Sequence, residues 1–315
     1  MNSSVLSSLL PVVLLIAAGF LAGRRGWVGG GAVRDLSNLI FLLLAPALLF
    51  RAMSTVHVEQ LSLKPVAAYF LAAGLIFAAT LLWRGFNRTA AVLALANTFS
   101  NTVMIGIALI GLAFGPEGMV VLLTLISLHS LVLLTSATLV LELAVVHENA
   151  SASGAERPPI LHTLGRAFYN AIVHPVPLPI IAGLLFAQTG WAMPEVIDKP
   201  IALLGQAFGP IALVMVGITL AFTPIGTHWR GALAQALVKN VAHPLLVAGL
   251  GWLLGLRGLP LQVMVVAAAL PIGANVFLFS QRYKTAEDLV TASVAVSTAL
   301  ALVTLSIVIP LAGRL

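Results

Sequence analysis

The sequence predicts an all-α membrane protein of ten transmembrane helices, arranged as two inverted five-helix repeats. Three observations predict it. The 315 residues are 60% hydrophobic and only 8% charged, with a mean hydropathy of +1.08. Soluble domains carry about 25% charged residues, so this chain cannot cover a water-facing surface. The apolar residues fall in runs of about 20, the length of a helical span, rather than in the shorter alternating strands of an outer-membrane barrel. A polar, small-residue-rich segment near 147–168 divides these runs five and five. An odd number of spans per half requires any repeat between the halves to be inverted.

The expected spans lie at roughly 5–23, 34–53, 65–83, 89–113, 118–145, 171–190, 200–222, 230–254, 260–281 and 288–311. The first follows Met1-Asn2-Ser3-Ser4, which lacks the basic start of a signal peptide and reads as a retained span. Its Leu10-Pro11-Val12-Val13 resembles Leu178-Pro179-Ile180-Ile181 in the sixth. In the second, Ala45-Pro46-Ala47-Leu48-Leu49 resembles Gly209-Pro210-Ile211-Ala212-Leu213 in the seventh. Ser100-Asn101-Thr102-Val103-Met104 in the fourth resembles Ala274-Asn275-Val276-Phe277-Leu278 in the ninth. The three matches keep one order, which divides the chain into a first repeat (1–146), a linker (147–168) and a second repeat (169–315).

Orientation follows from the basic residues. Loops after odd-numbered spans hold Arg24, Arg25, Arg34, Arg84, Arg88, Arg157, Arg166, Arg230, Arg282 and Lys284; the opposite side holds Arg51, Lys64, Lys199, Arg257 and Arg314. Ten against five puts the odd loops in the cytoplasm and both termini outside. The net charge of +6 therefore reports loop orientation, not nucleic-acid binding. A cytoplasmic linker also makes Asn149-Ala150-Ser151 an idle glycosylation sequon.

Polar residues concentrate in two spans. The fourth contains Asn97-Thr98-Phe99-Ser100-Asn101-Thr102 and then Gly106; the ninth contains Pro271-Ile272-Gly273-Ala274-Asn275 and then Ser280-Gln281. Pro271 is expected to free the carbonyl of Ala267, and Gly273 lets the chain leave helical geometry. Such backbone at membrane depth must line a cavity or be buried in protein, where half-helix N-termini can face an anion. Helix-packing polar residues are the plainer reading, but the matched positions favour a binding site.

In the eighth span Gln235, Lys239 and His243 share one face. Lys239 falls near mid-membrane, and its face is expected to border a hydrated cavity that attracts an anion. Asn240 lies beside that face. The fifth span carries Thr124, Ser127, Thr135, Thr138 and Glu142 near one stripe. Glu142 reads as a structural carboxylate, and His129 as a packing histidine in preference to a proton relay. With one deep positive charge and no carboxylate pair, the core suits an organic anion better than a metal ion. Cysteine is absent, as are His-Glu-x-x-His, Gly-x-Ser-x-Gly and phosphate-loop motifs, so no metal, cofactor or enzyme chemistry is expected.

The segments Leu270-Pro271-Ile272-Gly273-Ala274-Asn275-Val276-Phe277-Leu278-Phe279-Ser280-Gln281-Arg282-Tyr283 and Asn97-Thr98-Phe99-Ser100-Asn101-Thr102-Val103-Met104-Ile105-Gly106 carry a family resemblance. The chain resembles the auxin efflux carrier family, which includes plant PIN carriers and bacterial malonate or malate permeases. That resemblance implies ten spans in two inverted repeats, with broken fourth and ninth helices crossing near the substrate. It makes Asn101, Gly106, Pro271 and Asn275 site candidates, beside Asn97, Gly273 and Lys239 from the residues themselves. Two departures stand out: Ala108 replaces the family's Pro after the fourth-span Gly, and Val103 replaces a Gly. The fourth helix is thus expected to break less sharply than the ninth. The short central segment is of the bacterial type, which places the chain in a cytoplasmic (inner) membrane.

The resulting expectation is an alternating-access secondary transporter of a small carboxylate. Malonate or another dicarboxylate comes first and an auxin-like aromatic monocarboxylate second; a non-transporting membrane sensor is the competing class. Spans one, two, six and seven form the scaffold in this reading, with Pro46 and Pro210 shaping matched bends. The lipid bilayer and the anion are the expected partners. A coupling proton or sodium ion and a homodimer are compatible with the sequence, which selects none of them.

Overall fold

Lipid offers no partner to a loose peptide group, so an apolar chain must satisfy its backbone internally. In the computed structural model, which describes residues 3–56, 62–150, 177–223 and 226–315, the regular structure is helical throughout. The helices are α1 (Ser3–Arg24), α2 (Ala32–Met53), α3 (Leu63–Arg84), α4 (Arg88–Ala96), α5 (Ile107–Ala150), α6 (Pro177–Gln188), α7 (Glu195–Phe222), α8 (Gly226–Leu253), α9 (Leu259–Ala269), α10 (Asn275–Arg282) and α11 (Glu287–Ala312). Among the described residues six helical stretches are long and apolar enough to cross a membrane: α2, α3, α7, α8, α11 and the run Thr102–Val145 that includes most of α5. The chain is thus a multi-pass helical protein.

Local chemistry explains the irregularities. A π turn at Ile40–Leu44 precedes Pro46, and another at Val238–Ala242 precedes Pro244. Widening the turn absorbs the carbonyl that each proline cannot bond. The bend expected at Pro46 has this form, whereas α7 runs as one helix through Pro210. Within α5, Gly115 adopts a φ of 63° ahead of Pro116, turning the chain where the fourth and fifth spans were expected to part. The end of α5 at Ala150 extends the fifth span, and most of the expected linker lies outside the described residues.

Helix α1 packs along α7, and α2 packs on both α6 and α7. The approach is close because glycines meet backbone: a side chain at Gly19 would strike the backbone of Val214, and one at Gly217 the backbone of Ile16. Without a hydrophobic driving force in lipid, close van der Waals contact of this kind holds helices together. At one end of this group Arg51 on α2 pairs with Asp198 on α7, Nε to Oδ1 2.7 Å and Nη2 to Oδ2 3.0 Å. Helices α3, α5, α8 and α11 pack around α9, whose residues Val263–Ala269 are buried on every side. Elsewhere Arg88 at the start of α4 pairs with Glu148 near the end of α5.

Candidate functional site

Both polar clusters interrupt their helices. Residues 97–101 separate α4 from a π turn at Thr102–Gly106 that leads into α5, and residues 270–274 separate α9 from α10. The two interruptions meet. Asn101 N–H donates to the carbonyl of Pro271 (2.8 Å) and Gly273 N–H to that of Phe99 (2.9 Å), making an antiparallel bridge between Ser100 and Ile272. Backbone groups released by each helix are thereby satisfied by the other.

The breaks are equal in length, so the fourth helix is not the milder one that Val103 and Ala108 suggested. No proline is needed because Asn101 makes the break itself. Its φ, ψ of −76°, 62° are non-helical, and its side-chain oxygen accepts from Met104 N–H at 3.2 Å, capping the next turn. Gly106 serves close packing: a Cβ there would sit 2.8 Å from the Leu270 side chain. Gly273 does likewise, since a Cβ would sit 2.7 Å from the Phe99 ring.

Pro271 acts differently from expectation too. The carbonyl of Ala267 is not free but accepts from Leu270 N–H at 3.4 Å. The residue before a proline is pushed out of helical geometry, and Leu270 is extended (φ −60°, ψ 150°), so α9 stops at Ala269. The carbonyls released are those of Ala268 and Leu270, and both accept from Lys239 Nζ, at 2.5 and 2.8 Å. Lys239 is 0% exposed. The hydrated cavity expected along its face is replaced by a dry bond to a helix C-terminus, where a cation complements the carbonyl dipoles. Gln235 and His243 are buried as their shared face implied, and Asn240 donates from Nδ2 to the carbonyl of Ser297 at 2.8 Å.

A small cavity of ≈40 Å³ lies at the crossing, lined by Asn101, Asn275, Gly273, Ala274, Ser100, Thr102, Ser130 and apolar neighbours including Phe41 and Phe99. It holds space for a few waters at most, and Ala274 on its wall is exposed. Among the described residues no charged one lines it. Amide and hydroxyl donors surround it, and α10 starts there at Asn275, presenting the positive end of its dipole. This chemistry suits a carboxylate. Of the expected site residues, Asn101, Gly273 and Asn275 line the cavity, while Gly106, Pro271 and Lys239 support it from behind. Asn97 is turned away and donates from Nδ2 to Thr80 Oγ1 at 3.1 Å.

Sequence reasoning missed Tyr69. It is fully buried on α3, with its hydroxyl 2.7 Å from Ser100 Oγ and 3.1 Å from His129 Nε2. A clue was present: the chain has only three tyrosines, and this one sits mid-span, where a phenol needs a buried partner. The fifth-span hydroxyls of Thr124, Ser127 and Thr138 bond to carbonyls of their own helix. Glu142 accepts from the Tyr283 hydroxyl at 2.8 Å, in keeping with a structural carboxylate.

Helices of this apolarity, two of them interrupted and bonded across a donor-lined cavity, define a multi-pass membrane protein with a polar site between its helices. The family model described as "Membrane transport protein" matches residues 4–309, so the chain belongs to this family of transporters, which includes the auxin efflux carriers. It is 30% identical over 305 residues to the "Putative malonate transporter" of Rhizobium meliloti (strain 1021), covering 94% of this chain and 92% of that one. It is 24% identical over 303 residues to the "Uncharacterized transporter YfdV" of Escherichia coli (strain K12), with 93% and 92% covered. It is 23% identical over 241 residues to "Auxin efflux carrier component 8" of Arabidopsis thaliana, with 65% and 66% covered.

Proposed function

We propose that this chain is a secondary transporter of a small organic carboxylate, with malonate or a similar dicarboxylate as substrate, working by alternating access. The observation that carries this reading is the bonded crossing of two interrupted helices over an uncharged, donor-lined cavity. Neutral donors avoid desolvating a cationic partner, and their hydrogen bonds offset part of the carboxylate's own loss of water. The resemblance to a protein named for malonate supports the substrate class. A separate surface pocket of ≈410 Å³ lined by Arg84, Arg88 and Lys284, with Glu148, favours an anionic substrate, since basic residues concentrate anions.

In this proposal the ten spans form two inverted repeats, the basic pocket faces the cytoplasm of a bacterial cell and both termini lie outside. The group α1, α2, α6 and α7, tied by close glycine contacts and by Arg51–Asp198, is the scaffold against which the crossing moves. The test is uptake of labelled malonate by proteoliposomes, with other dicarboxylates and an aromatic monocarboxylate as competitors. Accumulation blocked by dicarboxylates supports the proposal. Binding without flux identifies a sensor, and block by the aromatic acid alone reassigns the substrate.

A further inference from the structure

Two buried histidines beside the crossing have no place in the transport reading above. His129 on α5 is 1% exposed and His243 on α8 is 0% exposed. Neither ring nitrogen of His243 has a hydrogen-bond partner. A buried polar atom left unbonded costs about 1–3 kcal/mol, so such groups ask for an explanation. A neutral imidazole always carries one nitrogen with a free lone pair, and that nitrogen is a base.

The two rings flank one phenol. Tyr69 lies with its ring centroid 5.6 Å from that of His129 and 4.9 Å from that of His243. Its hydroxyl bridges His129 Nε2 and Ser100 Oγ, and Ser100 lines the crossing cavity. The ring of Phe99, also in the cavity wall, lies 4.5 Å from that of His129. Serine, tyrosine and histidine each donate and accept. The chain from cavity to His129 therefore runs in either direction: Tyr69 donates to a neutral His129, and a protonated His129 donates to Tyr69, which then donates to Ser100.

The charges nearby are few. Helix α3 contributes Tyr69, α5 contributes His129, and α8 contributes His243 and, one turn before it, Lys239. Helix α9 contributes no titratable side chain. Among the described residues no hydrogen bond or ion pair joins the cluster to a carboxylate. With no carboxylate bonded to these buried rings, a positive charge on either is opposed until a negative one arrives. An anion in the crossing cavity supplies it.

Resting on the carboxylate reading, we propose that His129, joined to the crossing through Tyr69 and Ser100, and His243, packed against the same Tyr69 ring, form a proton-binding site that loads as an anion enters, so that anion and proton move together. One imidazole lone pair takes one proton from the water on the side the anion enters, and releases it when the anion leaves. Linkage makes the effect reciprocal: the anion tightens proton binding by the same factor as the proton tightens anion binding.

The test is isothermal titration of the purified protein with malonate between pH 6 and 8, in buffers of different ionisation enthalpy. These buffers report protons taken up per anion bound. Wild type should take up about one proton from the imidazoles at the lower end, with affinity rising up to tenfold per unit fall in pH. His129→Gln, which can keep the bond to Tyr69, and His243→Asn should each flatten that dependence, and the double variant should abolish the histidine share. Malonate's own protonation is common to all these proteins and cancels in the comparison. A double variant with the wild-type proton count and pH slope overturns the proposal and leaves the carboxylate reading standing. No malonate binding at any pH overturns both. Tyr69→Phe supplies a check that does not depend on replacing a histidine: it breaks the path to the cavity, so proton release on anion dilution should slow. An unchanged release rate counts against the path.

Discussion

The amide of Asn101 donates to the carbonyl of Pro271 at 2.8 Å, joining residues 170 positions apart through backbone alone. Together with its counterpart from Gly273 to Phe99, this bond pairs backbone that two helices release where they stop inside a membrane protein. The side chains of Asn101 and Asn275 are then left to face the cavity.

Asn101→Ala removes both the cap on Met104 N–H and a cavity donor. Loss of a cap costs about 1 kcal/mol. Malonate uptake should fall by at least about tenfold, more than that stability loss explains, and Asn275→Ala should lower uptake with little change in melting temperature. Normal uptake by the double variant at equal expression would remove both residues from the site.

Lys239→Met leaves the carbonyls of Ala268 and Leu270 without their donor. Buried acceptors left unpaired cost about 1–3 kcal/mol each, so the variant should melt lower and lose anion affinity together. Lys239→Arg keeps a donor and should recover part of both. A variant that binds weakly but melts like wild type would restore Lys239 to the field role the sequence suggested.

Gly106 meets Leu270 where the helices cross, and a Cβ would sit 2.8 Å from that side chain. Gly106→Ala should therefore destabilise the protein by about 1–3 kcal/mol, and adding Leu270→Ala should restore part of it. A double-mutant cycle on thermal unfolding measures the coupling. Additive losses would show that the two residues do not press on each other.

Arg88 and Glu148 give a pH dependence of known sign. Burial opposes ionisation of Glu148, but the hydrogen bonds and charge of Arg88 outweigh it and hold the carboxyl below its ordinary range. A depressed carboxyl adds stability above its unfolded pKa and loses it as pH falls through the folded one. Wild type should melt higher than Glu148→Gln at pH 7, and the gap should close as pH drops below about 4. A constant gap would make the pair irrelevant to stability.

Topology is tested by single cysteines, since the chain has none. A cysteine at position 153 should react with an impermeant reagent only from the cytoplasm, and one at position 190 only from outside. The reverse pattern would invert the basic-residue reading.

The membrane class, the helical nature of the spans and the two places where helices stop were legible in local pattern. Apolar run length measures bilayer thickness, and clusters such as Asn97–Thr102 and Pro271–Asn275 are too polar to be ordinary lipid-facing helix. Asn101, Gly273 and Asn275, three of the residues around the cavity, were legible for the same reason. What each break bonds to was not. Pro271 marks a carbonyl four residues earlier in an ideal helix, but α9 ends sooner, so Ala268 and Leu270 are released instead. That Lys239 satisfies them, that Tyr69 links Ser100 to His129, and that Gly106 lies beneath Leu270 depend on residues tens of positions or more apart being brought within bonding distance. Span-by-span reading scores each residue against lipid or water. A buried lysine or tyrosine is scored in the fold by the one partner it finds, and only packing of the helices selects that partner.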